Sequence, residues 1–187
     1  MADRPTLPPD SVRGRIAAYL ARQTIVAPVL ELGSRFPDPS AWWADNRHLA
    51  EGGEWVGVDS EAGANVDVVV DASSLPPELR DRFATVVCSE MLEHVTDPLA
   101  VLRSAHSALR VGGRIVVTTL FAFPVHNHPA DYWRFSEQGL RSLLVAAGFD
   151  QVRTESAGEI RVTLDDHGGQ LVEKVIPMHT FATGVKA

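Results

Sequence analysis

The chain has 187 residues, 45% of them hydrophobic and 22% charged, with a net charge of −7 from 17 basic and 24 acidic side chains. That length suits one domain with a core large enough to fold without cross-links, and the single cysteine, Cys88, excludes a disulfide framework or a multi-cysteine zinc centre. The longest apolar run, Ile16–Ala21, is too short to span a membrane, and a net-acidic chain without a block of like charges argues against duplex nucleic acid and against a polybasic membrane anchor. The opening stretch Met1–Pro9 carries Asp3 and three prolines and lacks the apolar run of a secretory signal, so a cytoplasmic location is expected.

In chain order, Val12, Ile16, Tyr19 and Leu20 form a helical stripe within Ser11–Arg22, with Asp10 or Ser11 as the N-cap. Val26–Leu32 is a short apolar run interrupted by Pro28, and Pro39–Ala50 reads as a helix opening at the proline. Trp55–Val58, Val66–Val70 and Phe83–Cys88 read as strands, the first two ending at Asp59 and Asp71. Asp97-Pro98 is a helix start, and the helix runs through Leu99, Leu102, Ala105 and Leu109 to a stop near Gly112-Gly113. Arg114–Leu120 is the most strand-like segment, and Phe121–Phe135 has neither period. Ser136 opens a last helix that Gly148 closes, and Phe149–Glu155 and Thr180–Val185 follow as strands, with a hairpin turning at Gly168-Gly169 between them.

Continuous apolar strands alternating with helices indicate a parallel sheet covered on both faces, and such sheets bind ligands at the carboxyl ends of their strands. Those ends carry Glu31, Asp59, Asp71 and Glu90. Gly33, two residues after Glu31, permits a tight turn and close ligand approach. Ser34, Arg35, Phe36 and Pro37 follow it, so the three-glycine dinucleotide fingerprint is missing, which argues against a nicotinamide cofactor. Asp59, 26 residues beyond Gly33, suits the ribose hydroxyls of a nucleoside. Asp71 suits an adenine amine, or caps a helix over Pro76–Arg82.

The order of these elements, with Glu90-Met91-Leu92-Glu93-His94-Val95 leading into Asp97-Pro98, resembles the class I S-adenosylmethionine-dependent methyltransferases, and most closely a small group with the E-M-L-E-H-V-x-D-P segment. Leu109–Thr118 is similar to that family's entry to its fifth strand, and Pro129–Ser136 to a segment of some members; together the similarity spans about residues 26–155. It implies an α/β, Rossmann-like, doubly wound and mostly parallel seven-stranded sheet with an antiparallel last strand. It also implies one methyltransferase domain over 1–187, with an N-terminal helical extension (1–25), a cofactor core (26–155) and C-terminal strands (156–187). The cofactor would be S-adenosylmethionine, with Glu31, Gly33 and Ser34 near its methionine part, Asp59 at the ribose, Asp71 and Ala72 at the adenine, and Ser89 and Glu90 beside the methyl group. The family's fuller pattern has two or three glycines in the first loop, where this chain has one.

Methyl transfer to oxygen benefits from a positioned base, and His126 or His128, beyond the fifth strand, can supply it. The expected acceptor is a small hydroxylated molecule or a sugar or glycan. Alternatives are a non-catalytic partner subunit that retains cofactor binding, and a nucleotide-dependent oxidoreductase. A helical turn at residues 90–94 would put Glu90, Glu93 and His94 on one face, where a divalent ion could bind with help from His126 or His128. The simpler reading, preferred here, is that Leu92 packs inward while Glu93 and His94 shape the turn. Phe121, Phe123, Tyr132, Trp133 and Phe135 mark the aperiodic stretch as a binding loop, in which Arg134 either binds an anion or pairs with Asp131.

Overall fold

The computed structural model describes residues 7–36, 44–50, 52–127 and 129–187. Seven strands form one sheet: β1 (Val29–Leu32), β2 (Trp55–Asp59), β3 (Val68–Val69), β4 (Phe83–Ser89), β5 (Leu109–Leu120), β6 (Phe149–Ala157) and β9 (His179–Lys186). Their order across the sheet is β3-β2-β1-β4-β5-β9-β6. The pairs β1–β2, β1–β4, β2–β3 and β4–β5 are parallel. β9 lies antiparallel to both β5 and β6, so the doubly wound sheet with its antiparallel last strand is as expected. Between β6 and β9, β7 (Ile160–Asp165) and β8 (Leu171–Ile176) form a separate two-stranded hairpin, turning through Gly168-Gly169 as the sequence indicates.

Among the described residues three α-helices cover the sheet, each started by a side-chain cap that satisfies otherwise orphaned amides. Ser11 accepts from the Gly14 amide at 3.0 Å to start α1 (Val12–Ala21). Asp97 accepts from Ala100 at 3.0 Å, with Pro98 in the first turn, to start α2 (Pro98–Ala108). Ser136 does the same for α3 (Glu137–Ala146), with Gly139 as donor at 3.1 Å. On one face Ile16, Tyr19 and Leu20 of α1 pack on Val29, Val87, Val116 and Phe181. On the other, α2 and α3 close a core of Leu30, Val86, Ile115, Leu140 and Leu144.

Two expectations change. α2 stops at Ala108, not at the glycine pair, because Leu109 already pairs with Phe83 as the first residue of β5. Gly112-Gly113 instead serves an irregularity in that strand: the register jumps from Phe83–Leu109 to Thr85–Arg114, and Gly112 sits at φ +77°. A side chain on Gly113 would meet the Arg110 carbonyl at 2.8 Å. The helix expected over Pro39–Ala50 lies partly outside the described residues; its last four, Arg47–Ala50, form one 3₁₀ turn. No helix among the described residues is long and apolar enough to cross a membrane.

Candidate active site

A cavity of about 1440 Å³ opens at the carboxyl ends of the parallel strands, beside the point where β1 lies between β2 and β4. Glu31, Gly33, Ser34, Asp59, Asp71, Ala72, Ser89, Glu90 and His126 all line it. Positions spread over 96 residues of sequence thus meet around one space; His128 lies outside the described residues.

Each strand end builds its own piece. Glu31 is fully buried, and its carboxyl accepts from Asn46 at 2.7 Å, the Trp55 indole at 3.0 Å and Asn65 at 3.2 Å. Burial, only partly offset by those donors, pushes its pKa up to about 7. Gly33 turns the chain at φ +69°, where a side chain would also run into Met91 at 2.7 Å. Ser34 donates to the Asn65 carbonyl at 3.0 Å. Asp59 accepts from the amides of Glu61 at 3.0 Å and Arg35 at 3.2 Å, which fixes its carboxylate at the cavity edge. Asp71 accepts from the Ser73 amide at 2.8 Å. It therefore caps the single turn Ala72–Ser74 and not the segment from Pro76, and it also lines the cavity.

After β4, Ser89 Oγ lies 2.9 Å from Thr118 Oγ1, and Glu90 follows at φ +50°, a left-handed conformation strained for a non-glycine residue. The turn Leu92–His94 then buries Leu92 as expected, but buries Glu93 as well, where Thr119 donates to it at 2.9 Å. Burial and the Glu93 charge push the Glu90 pKa up to about 8, and burial raises that of Glu93.

The loop beyond β5 supplies the opposite wall with Phe123, His126 and Tyr132. His126 Nδ1 lies 3.1 Å from Asp131, which also accepts the His126 amide at 2.8 Å. The Arg134 guanidinium grips the same Asp131 at 2.8 Å and the Phe123 carbonyl at 3.0 Å. Arg134 therefore straps the loop together, and it holds the Asp131 carboxyl well below the usual range. Of the aromatics, Phe135 is core, while Tyr132 and Trp133 are both exposed, the Trp133 indole donating to the Val95 carbonyl at 2.8 Å.

The residue set for a divalent ion is corrected by this geometry. Donor atoms of Glu93, His94 and His126 lie within 4.8 Å of one another, a carboxylate with two imidazoles that suits a borderline ion. Glu90 is not in that group, because it precedes the turn at positive φ and its carboxyl faces His179, 3.8 Å away. His179 is a residue sequence reasoning missed. A lone histidine opening a terminal strand carries no local signal; only the antiparallel pairing of β9 brings it under the cavity.

A family profile for a methyltransferase domain matches residues 29–155, the strands and loops that build this cavity. The chain belongs to the class I S-adenosylmethionine-dependent methyltransferase family. A ubiquinone biosynthesis O-methyltransferase of Xanthomonas euvesicatoria is 43% identical over 65 residues, 34% of this chain and 27% of that protein. The chain thus matches about a quarter of the length of that curated relative. The fold is shared with a Burkholderia thailandensis 1,6-didemethyltoxoflavin-N1-methyltransferase, solved with S-adenosylhomocysteine and 1,6-didemethyltoxoflavin (TM-score 0.61, 18% identity, 95% of this chain and 79% of that one). It is shared also with an S-adenosylmethionine-dependent methyltransferase of Archaeoglobus fulgidus (TM-score 0.59, 18% identity, 94% and 93%). The family match sets aside the oxidoreductase alternative.

Proposed function

We propose that this methyltransferase-family protein transfers a methyl group from S-adenosylmethionine to an oxygen of a small hydroxylated acceptor. The observation that carries the reading is the meeting of strand-end acids and a carboxylate-bound histidine across one cavity. On the strand side, Glu31, Gly33 and Ser34 take the methionine part, Asp59 the ribose, and Asp71 with Ala72 the adenine. Ser89 and Glu90 stand at the methyl end. The single-glycine loop is supported from behind by Glu31 and its three donors, which give the turn the rigidity that further glycines would not.

Methyl transfer is an in-line displacement, so alignment and water exclusion do most of the work. Asp131 orients the His126 ring through Nδ1, leaving proton exchange with the acceptor to Nε2, and stabilises the imidazolium formed. That pairing supports His126 as the base. Phe123 and Tyr132 offer flat apolar contacts that accept an aromatic ring or a sugar face. The similarity to ubiquinone biosynthesis O-methyltransferases supports the oxygen and the small acceptor, and lends no specific support to a glycan.

A second reading is favoured by the convergence of Glu93, His94 and His126. A divalent ion held by these three would supply Lewis acidity to an acceptor hydroxyl. In that case His126 is a ligand and not the base.

Calorimetric titration with S-adenosylhomocysteine tests the cofactor, with saturable one-to-one binding expected. Asp59→Ala is expected to weaken it at least tenfold; unchanged affinity in the folded variant refutes the ribose assignment. Turnover of a panel of phenols and sugars, with and without EDTA, then separates the two readings. Activity that survives chelation supports His126 as base, and activity restored only by added metal supports the ion. Tight cofactor binding with no turnover of any acceptor indicates the non-catalytic partner subunit instead.

A further inference from the structure

β9 delivers an unusual residue to the underside of the cavity. Because it runs antiparallel, its first residue, His179, arrives at the carboxyl end of the sheet, paired with Leu120 on one side and Ala157 on the other. The His179 side chain is fully buried, and neither ring nitrogen has a hydrogen-bond partner among the described residues. Burying such a group without a partner is costly, a cost that phenylalanine in the same space would avoid. The ring cannot swing to seek a partner elsewhere. It stacks on Phe181 at 5.7 Å and 20°, and Phe181 stacks on Tyr19 of α1 at 4.3 Å and 22°.

That column of rings places Nε2 3.8 Å from the Glu90 carboxyl, and the guanidinium charges of Arg15 and Arg13 act on the same imidazole. Glu90 is itself held at φ +50°, lines the cavity, and keeps its other oxygen, Oε1, without a partner. A second buried oxygen, Glu93 Oε1, is likewise unpartnered. The floor of the cavity therefore presents carboxyl oxygens that no donor within the described chain satisfies, an arrangement complementary to positive charge.

We propose that His179 is a positioning residue, holding the Glu90 carboxyl against the methyl-bearing end of the cofactor so that the site favours the charged methyl donor over its neutral product. The proposal rests on the methyl-transfer reading above. A closure of about 1 Å between Nε2 and the carboxyl brings the pair to ordinary hydrogen-bond length, and one proton shared between them turns the remaining oxygen to the cavity. Once the methyl group and its charge have left, that oxygen loses its partner, and the product is held less tightly than the donor.

The test needs no acceptor. Wild type, His179→Phe, Glu90→Gln and the double variant are titrated, in EDTA so that no divalent ion contributes, with S-adenosylhomocysteine and with sinefungin, which carries a charged amine where the methyl sits. The affinity for sinefungin relative to S-adenosylhomocysteine is expected to fall at least fivefold in His179→Phe, equally in Glu90→Gln, and no further in the double variant. A merely structural histidine would weaken both ligands together, so an unchanged ratio, or losses that add in the double variant, overturns the proposal. Should His179→Phe not fold, the ¹⁵N signal of His179 decides: it shifts in Glu90→Gln if the pair exists, and an unmoved signal overturns it. Wild type that binds neither ligand refutes the cofactor reading itself, an outcome distinct from an unchanged ratio.

Discussion

Glu31 carries its proton to about pH 7, whereas the same side chain in the unfolded chain releases it near 4.5. The native state thus binds a proton that the unfolded state lacks in this interval, so its contribution to stability is full below pH 4.5 and is lost as pH rises to 7. Replacing the carboxyl by an amide removes that loss. Glu31→Gln is therefore expected to gain on the wild type by on the order of 3 kcal/mol between pH 4.5 and 7, read as a flatter pH dependence of urea unfolding. A stability difference independent of pH contradicts the buried proton. Gly57 is another residue whose environment dictates its identity: a side chain there would meet the Asn65 carbonyl at 2.2 Å and Ser34 Oγ at 2.6 Å. Gly57→Ala is expected to cost about 2 kcal/mol, checked by denaturant midpoint, because the backbone that obstructs it cannot rotate away.

At the scale of elements, the described residues of the loop between β5 and α3 form no helix or strand, and Arg134 ties the two arms of the loop together. That guanidinium joins Asp131 to the carbonyls of Phe123 and Pro124, while Phe135 and Trp133 anchor the C-terminal end. Arg134→Ala is expected to raise hydrogen exchange and proteolytic cleavage within residues 121–135 at least tenfold while the sheet amides keep their protection. Equal protection in the variant would show that the aromatic anchors suffice. Caps behave more locally. Ser136→Ala removes the acceptor for the Gly139 amide and is expected to cost about 1 kcal/mol, visible in thermal unfolding.

Across the whole molecule the hairpin β7–β8 stands apart: among the described residues its strands pair only with each other, and it exposes Leu164, Leu171 and Val175. Its strands add nothing to the seven-stranded ladder, so replacing residues 159–177 by a short glycine-containing turn is expected to leave the thermal midpoint within a few degrees. A collapse of the fold would show that the hairpin supports α1 near Arg15, whose side chain lies 3.0 Å from where a Gly158 Cβ would stand. β9 is the opposite case. Among the described residues it alone joins β5 to β6, and it lends Phe181 to the α1 face, so the fold depends on it.

Much was legible in the chain itself. Caps such as Asp97-Pro98 and Ser136 are local hydrogen-bond chemistry, and apolar runs such as Phe83–Cys88 are local periodicity, so both read directly. The acids at the strand ends read equally well, because a parallel sheet places every such end on one side. Other decisions belong to pairing between distant segments. The glycine pair at 112–113 reads as a helix stop until Phe83 claims Leu109 as its strand partner. Glu90 reads as a companion of Glu93 and His94 until a left-handed turn points it away. His179 has no meaning until an antiparallel strand carries it beneath Glu90. Local sequence determines which hydrogen bonds a segment makes with itself; only tertiary structure determines which buried polar groups, far apart in the chain, must share an unfilled bond.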